Sequence, residues 1–114
     1  MISHEFDPRR DLRIQRVMRA PKERVRKAWT DPELLQKWWV PAPTVARIER
    51  LDPTAGGAFV TTMSEDGQNF VPHTDGIFLL VEHERRIVFT NAISSSWHPA
   101  LPAPIGMTAE ITLS

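Results

Sequence analysis

Cysteine is absent from the 114-residue chain, which excludes disulfides, thiolate zinc sites and cysteine nucleophiles. Glycine is scarce, five residues in all. The one pair, Gly56-Gly57, lies between strand patterns and lacks the spacing of a phosphate-cradling loop. No apolar run approaches the roughly 20 residues of a membrane span, and the first ten residues have no signal-peptide core. Neither sign of charge dominates, because 14 Lys and Arg balance 14 Asp and Glu. That balance removes the global electrostatic case for nucleic acid or an anionic membrane. Aromatic residues are not interleaved with a basic stripe, which argues against a nucleic-acid platform on a sheet. No G-x-S-x-G elbow is present, and Ser94-Ser95-Ser96 has only His98 as a nearby base. The expected setting is a reducing cytoplasm.

What is present suits one globular domain over residues 1–114, with 1–10 as a flexible N-terminal segment. The chain is 41% apolar and 25% charged, the composition of an ordinary soluble domain. The neutral total hides an asymmetry. Residues 1–30 carry nine basic and four acidic side chains, whereas residues 31–114 carry five basic and ten acidic ones. Two readings remain open: a solvated surface of long cationic side chains, or a basic patch for an acidic partner.

Periodicity predicts a strand over Asp11 to Ala20, with Leu12, Ile14 and Met18 on one side. Pro21 suits the first position of a helix carrying Val25, Ala28 and Trp29 at helical spacing, with Glu23 and Lys27 as an i,i+4 pair. Asp31 reads as the N-cap of a second helix, with Pro32 at N1 and Leu35, Trp38 and Trp39 on one face. Pro41 and Pro43 end it. Strands are then expected over Thr44 to Asp52 and Ala58 to Ser64, separated by a turn ending in Gly56-Gly57. Asp66-Gly67 marks a hairpin turn. Asn69 to Glu82 is too long for one regular strand, and Pro72 and Gly76 predict irregularity before Ile77 to Glu82. Ile87 to Ile93, a loop over Ser94 to Gly106 and a last strand from Met107 to Ser114 follow. In that strand Met107, Ala109, Ile111 and Leu113 alternate with polar residues, so one sheet face is wet and the other covered. Two helices followed by consecutive hairpins predict an α+β fold with an antiparallel sheet.

The run Arg16 to Trp39, then Asp52 to Gly57, then Arg86-Ile87-Val88-Phe89-Thr90, resembles the SRPBCC (START/Bet v 1-like) superfamily. Within it the resemblance is to the branch of activators of the heat-shock protein 90 ATPase, also described as polyketide cyclase-like. It implies a helix-grip fold: a curved antiparallel sheet around a long C-terminal helix, with a hydrophobic cavity between. Measured against that pattern, the C-terminal strand and long helix are missing here, Arg26 stands where an aromatic is usual, and Thr54 replaces an arginine. A small domain gains roughly 25 cal/mol per Å² of buried apolar surface, so an uncovered concave face is expected to drive self-association, as a homodimer through the sheet face or by strand exchange.

The resemblance implies binding of a small hydrophobic ligand, lipid-like or polyketide-like. Of Trp38 and Trp39 at least one is expected in the core and the other as a wall of the cavity. Phe59, Met63, Phe78 and Phe89 line either the cavity or the ordinary core, and Asn91 and Trp97 are polar candidates for the site. Arg26 either snorkels to water or meets an acidic head group at the rim. His73 and Asp75, two apart on an extended segment, are expected on one face, where they form an acid–base pair for a cyclase or hydratase or else flank an irregular strand. Together they are only a metal half-site needing His98 as a third ligand. No metal and no cofactor is expected. A second reading implied by the resemblance is a co-chaperone whose basic first third contacts an acidic chaperone segment.

Overall fold

The computed structural model of the chain describes residues 6–99 and 107–113. Parts of the expected N-terminal segment, of the 94–106 loop and the last position of the final strand lie outside them. Two short helices, α1 (Lys22–Thr30) and α2 (Pro32–Gln36), precede five strands: β1 (Val45–Leu51), β2 (Ala58–Ser64), β3 (Val71–Glu82), β4 (Arg86–Thr90) and β5 (Thr108–Thr112). The strands form one antiparallel sheet in the order β1-β2-β3-β4-β5. This is the α+β, helix-grip type of architecture, with the sheet curved over the helices.

The local signals act as their chemistry dictates. Asp31 caps α2 by accepting the Glu33 amide at 2.9 Å, and Pro32 occupies the first turn. The helix closes early. The amides of Lys37 and Trp38 bond three residues back, to Leu34 and Leu35, tightening the last turn. Trp38 and Trp39 therefore sit just beyond α2 rather than within it. Thr30 returns its hydroxyl to the Arg26 carbonyl at 2.9 Å.

Leu35, Phe59, Phe78, Ile87 and Phe89 are the buried centre of the core, and Trp29, Trp39, Ile48, Leu51, Val81, Ala109 and Ile111 pack around them. Strand register places these sheet residues on one face: Leu51 pairs with Phe59, Phe78 with Phe89, Val81 with Ile87, Phe89 with Ala109, and Ile87 with Ile111. The helices lie on that face. α2 anchors over β1, where the Gln36 side-chain carbonyl accepts the Ile48 amide at 3.3 Å.

The segment 11–20 is not a strand. Leu12, Ile14, Val17 and Met18 are exposed, Val17 completely. Alternation makes a segment competent for pairing, but a strand exists only where a neighbouring backbone accepts its hydrogen bonds. Among the described residues none does. β3, by contrast, is a single strand of 12 residues. The irregularity expected in it takes the form of two register shifts, one opposite Thr61 and Thr62 and one between Phe78 and Leu80.

Candidate functional site

The helix-facing side of the sheet carries a connected group of rings. Phe59 and Phe78 stack at 5.4 Å with planes 13° apart, and Phe89 approaches Phe59 at 5.1 Å. Trp39 lies 5.1 Å from Phe59 and 6.2 Å from Phe89. Trp29 joins this group from α1, 6.0 Å from Phe89, 6.0 Å from Trp39 and 4.7 Å edge-on to Trp38. These separations are those of rings in contact, so the middle of the space between helices and sheet is filled by the protein's own side chains. In the sequence Trp29 stands only at helical spacing with Val25 and Ala28. Its place at the junction of helix and sheet rings is set by tertiary contacts with Trp38, Trp39 and Phe89.

The space is not filled evenly. Toward β4 and β5 the same face continues as Val81 at the end of β3 and Ala109 and Ile111 on β5, each only half-buried, and Met107 is exposed. Trp39 Nε1 is buried without an acceptor among the described residues, as is Arg26 Nε. Such donors are uncommon, because a buried unpaired polar group costs about 1–3 kcal/mol. Arg26 is half-buried on α1, so its stem follows the apolar stripe.

The other expected site residues separate. Trp38 is 42% exposed and donates its indole N–H to the Ala28 carbonyl, so its polar edge serves helix packing. Met63 lies half-buried on β2 beside Ala46. The Asn91 side-chain carbonyl accepts the Met107 amide at 2.8 Å and leads the chain into β5. Trp97 makes no ring contact with this group among the described residues and lies against Gly56, in the turn after β1.

His73 and Asp75 do not share a face, contrary to the expectation for a regular strand. Thr61 pairs with Thr74 and Thr62 with Pro72, so His73 is the extra residue of a β-bulge. The bulge turns His73 toward the Thr61 hydroxyl, 3.2 Å from Nδ1, and toward the Trp39 ring at 6.3 Å. Asp75, opposite Val60, faces the other way and accepts the Ser95 amide at 2.8 Å. The two side chains are exposed and have different partners, so the acid–base pair is not assembled. Among the described residues no group of three or more metal-ligating side chains occurs, and no helix is long and apolar enough to cross a membrane.

A curved antiparallel sheet with two helices and an aromatic centre has relatives. Residues 19–114 match the family model described as activator of Hsp90 ATPase homolog 1-like protein. The chain belongs to this family, and with it to the SRPBCC superfamily. A crystal structure from Nitrosomonas europaea is 39% identical and superposes with a TM-score of 0.70 over 82% of this chain and 59% of that one. A solution structure from Staphylococcus epidermidis (21% identical, TM-score 0.66, 85% and 58% covered) and a crystal structure from Mycobacterium smegmatis (21%, 0.61, 82% and 56%) share the fold. This family member thus spans less than two-thirds of the length of each of these structures. No curated protein matches it.

Proposed function

We propose that this domain binds a small, largely apolar ligand on the helix-facing side of its sheet. The observation that carries the reading is the half-buried strip Val81, Ala109 and Ile111, continuous with the buried Phe89 and bordered by Trp29. Apolar area of this kind next to a rigid aromatic wall is the lining that ligand sites use. Rings already fill the centre, so the ligand lies over β4 and β5 rather than between Trp39 and Phe59. Membership of a superfamily with this architecture agrees with the reading, although a fold alone does not assign a function.

The test is a titration with 2-naphthol, a flat apolar probe with one polar group, followed by tryptophan fluorescence and by native mass spectrometry. Saturable one-to-one binding is expected, weakened about tenfold in Ile111→Lys, since a charge at the strip opposes burial. Equal binding by wild type and variant, or no saturation, overturns the reading.

A second reading is favoured by a separate observation. Arg13, Arg16, Arg19, Lys22 and Arg24 are exposed and have no carboxylate partner within ion-pair distance among the described residues. This run of cations suits an acidic segment of a chaperone, and the family's description names an activator of the Hsp90 ATPase. Capture of heat-shock protein 90 at low salt, lost at high salt, supports this role. Absence of capture at low salt removes it. The exposed Leu12, Ile14, Val17 and Met18 supply the apolar part of a contact, with a chaperone or with a second copy of the chain.

A further inference from the structure

The turn after β1, the middle of β3 and the loop after β4 border an open cleft of about 490 Å³. Its walls are Ile77, Leu79, Ile93 and Trp97, and its floor is the Gly56-Gly57 turn. Three features show that the cleft is held in shape. Gly56 has φ +85, and a Cβ there would lie 3.0 Å from the Trp97 ring, so the indole rests against bare backbone. The Gly56 amide bonds the Phe78 carbonyl at 2.7 Å, and the Phe78 amide bonds Gly57, which ties turn to strand. The loop carrying Trp97 is closed by Ser94 with His98, by Trp97 with Ser94 and by a bridge between Ile93 and Pro99. Within it Trp97 has φ +68, a left-handed conformation that is rare for a bulky side chain and recurs at binding sites. Despite that constraint the indole is 63% exposed.

The charge at the cleft is one-sided. Asp52 is its sole charged lining residue. One carboxylate oxygen accepts the Thr54 hydroxyl at 3.0 Å, and among the described residues no Lys, Arg or His lies within ion-pair distance. A carboxylate beside an aromatic face and aliphatic walls complements a cation with an apolar body, because the indole face and the carboxylate both attract positive charge. We propose that this cleft is a second binding site, for a small organic amine in its protonated form. The ammonium sits at Asp52 and the apolar body lies between Trp97, Ile77 and Ile93. The volume lies within the range of small-molecule sites and leaves room for such a body.

The experiment follows the Trp97 indole N–H resonance while phenethylammonium is added, with phenethyl alcohol and phenylacetate as neutral and anionic counterparts. Phenethylammonium is expected to shift that resonance saturably, the alcohol about tenfold more weakly, and phenylacetate not at all. Asp52→Asn keeps an acceptor for Thr54 and should reduce ammonium affinity about tenfold while leaving the alcohol unchanged. Trp97→Ala, at an exposed position, should abolish binding of both, read by titration calorimetry because this variant lacks the reporting indole. Equal affinity for ammonium and alcohol, or an unchanged ammonium affinity in Asp52→Asn, overturns the proposal. A lysine-containing tripeptide is the last arm: weaker binding than phenethylammonium supports a free small amine, and equal binding transfers the site to a protein side chain and overturns it.

Discussion

The indole N–H of Trp38 donates to the carbonyl of Ala28 at 3.0 Å, across ten residues and from beyond one helix to the last turn of another. This bond satisfies one of the carbonyls that the end of α1 leaves without an intrahelical partner. It also holds Trp38 edge-on to Trp29, and Trp29 in turn meets Phe89 on the sheet. Helix–helix geometry is thereby connected to the site-facing side of the sheet.

Trp38→Phe removes the donor and keeps a ring. The expected loss is about 1 kcal/mol, the usual net value of one such hydrogen bond, read from the midpoint of urea unfolding. A loss above roughly 3 kcal/mol would show that ring size, not the hydrogen bond, sets the packing.

Glycine positions separate by what a methyl group would meet. At Gly76 a Cβ collides with the Thr90 carbonyl across the β3–β4 pair, and at Gly57 with the Asp52 carbonyl. Backbone cannot yield as a side-chain tip can, so Gly76→Ala should cost about 3 kcal/mol or more. Gly67 has open space around it and only a positive φ of 78°, so Gly67→Ala should cost about 1 kcal/mol. Thermal unfolding of the two variants checks the order, and equal losses would contradict it.

Asp66 organises the β2–β3 hairpin. Its carboxylate accepts the amides of Asn69 and Gln68, the Ser64 hydroxyl and the Asn69 side-chain amide, all within 2.7–2.8 Å. These donors, the backbone amides first, hold its pKa well below the usual carboxylate range. A depressed pKa means that the ionised form is the one the fold favours. Its contribution is complete above about pH 4, the unfolded value, and is lost as pH falls through the lower folded value. The Gln68 and Asn69 amide resonances should therefore titrate well below pH 4, and Asp66→Asn should abolish that transition. A midpoint near 4 would show that the carboxylate is not so held.

His73 and Asp75 act on different surroundings, so their substitutions should add. In a double-mutant cycle His73→Ala and Asp75→Ala are expected to couple by less than about 0.5 kcal/mol, the margin for independent sites. Asp75→Ala alone should speed hydrogen exchange at the Ser95 amide, which loses its acceptor. A coupling above 1 kcal/mol would place the two groups in one network.

The exposed apolar segment predicts association. Sedimentation at increasing concentration should show dimer formation, weakened when Leu12 and Ile14 are both changed to Lys, because charges oppose burial of that side. A monomer at every concentration would remove this expectation.

Elements whose signals are local were legible in the chain itself. The Asp31-Pro32 start of α2, the Asp66-Gly67 turn and the apolar alternation of Ala109 and Ile111 each depend on residues within a few positions of one another. The family resemblance rests on such local runs as well. Tertiary structure alone decided the rest, since it depends on neighbours far along the chain. Whether Leu12 to Met18 becomes a strand is settled by a second backbone, not by its alternation. His73 and Asp75 parted because pairing with β2 inserts a bulge, and one inserted residue reverses which way a side chain points. The cleft at Trp97 has no sequence signature. It exists because residues 41 positions apart, Gly56 and Trp97, come into contact, and no periodicity records where a loop will land.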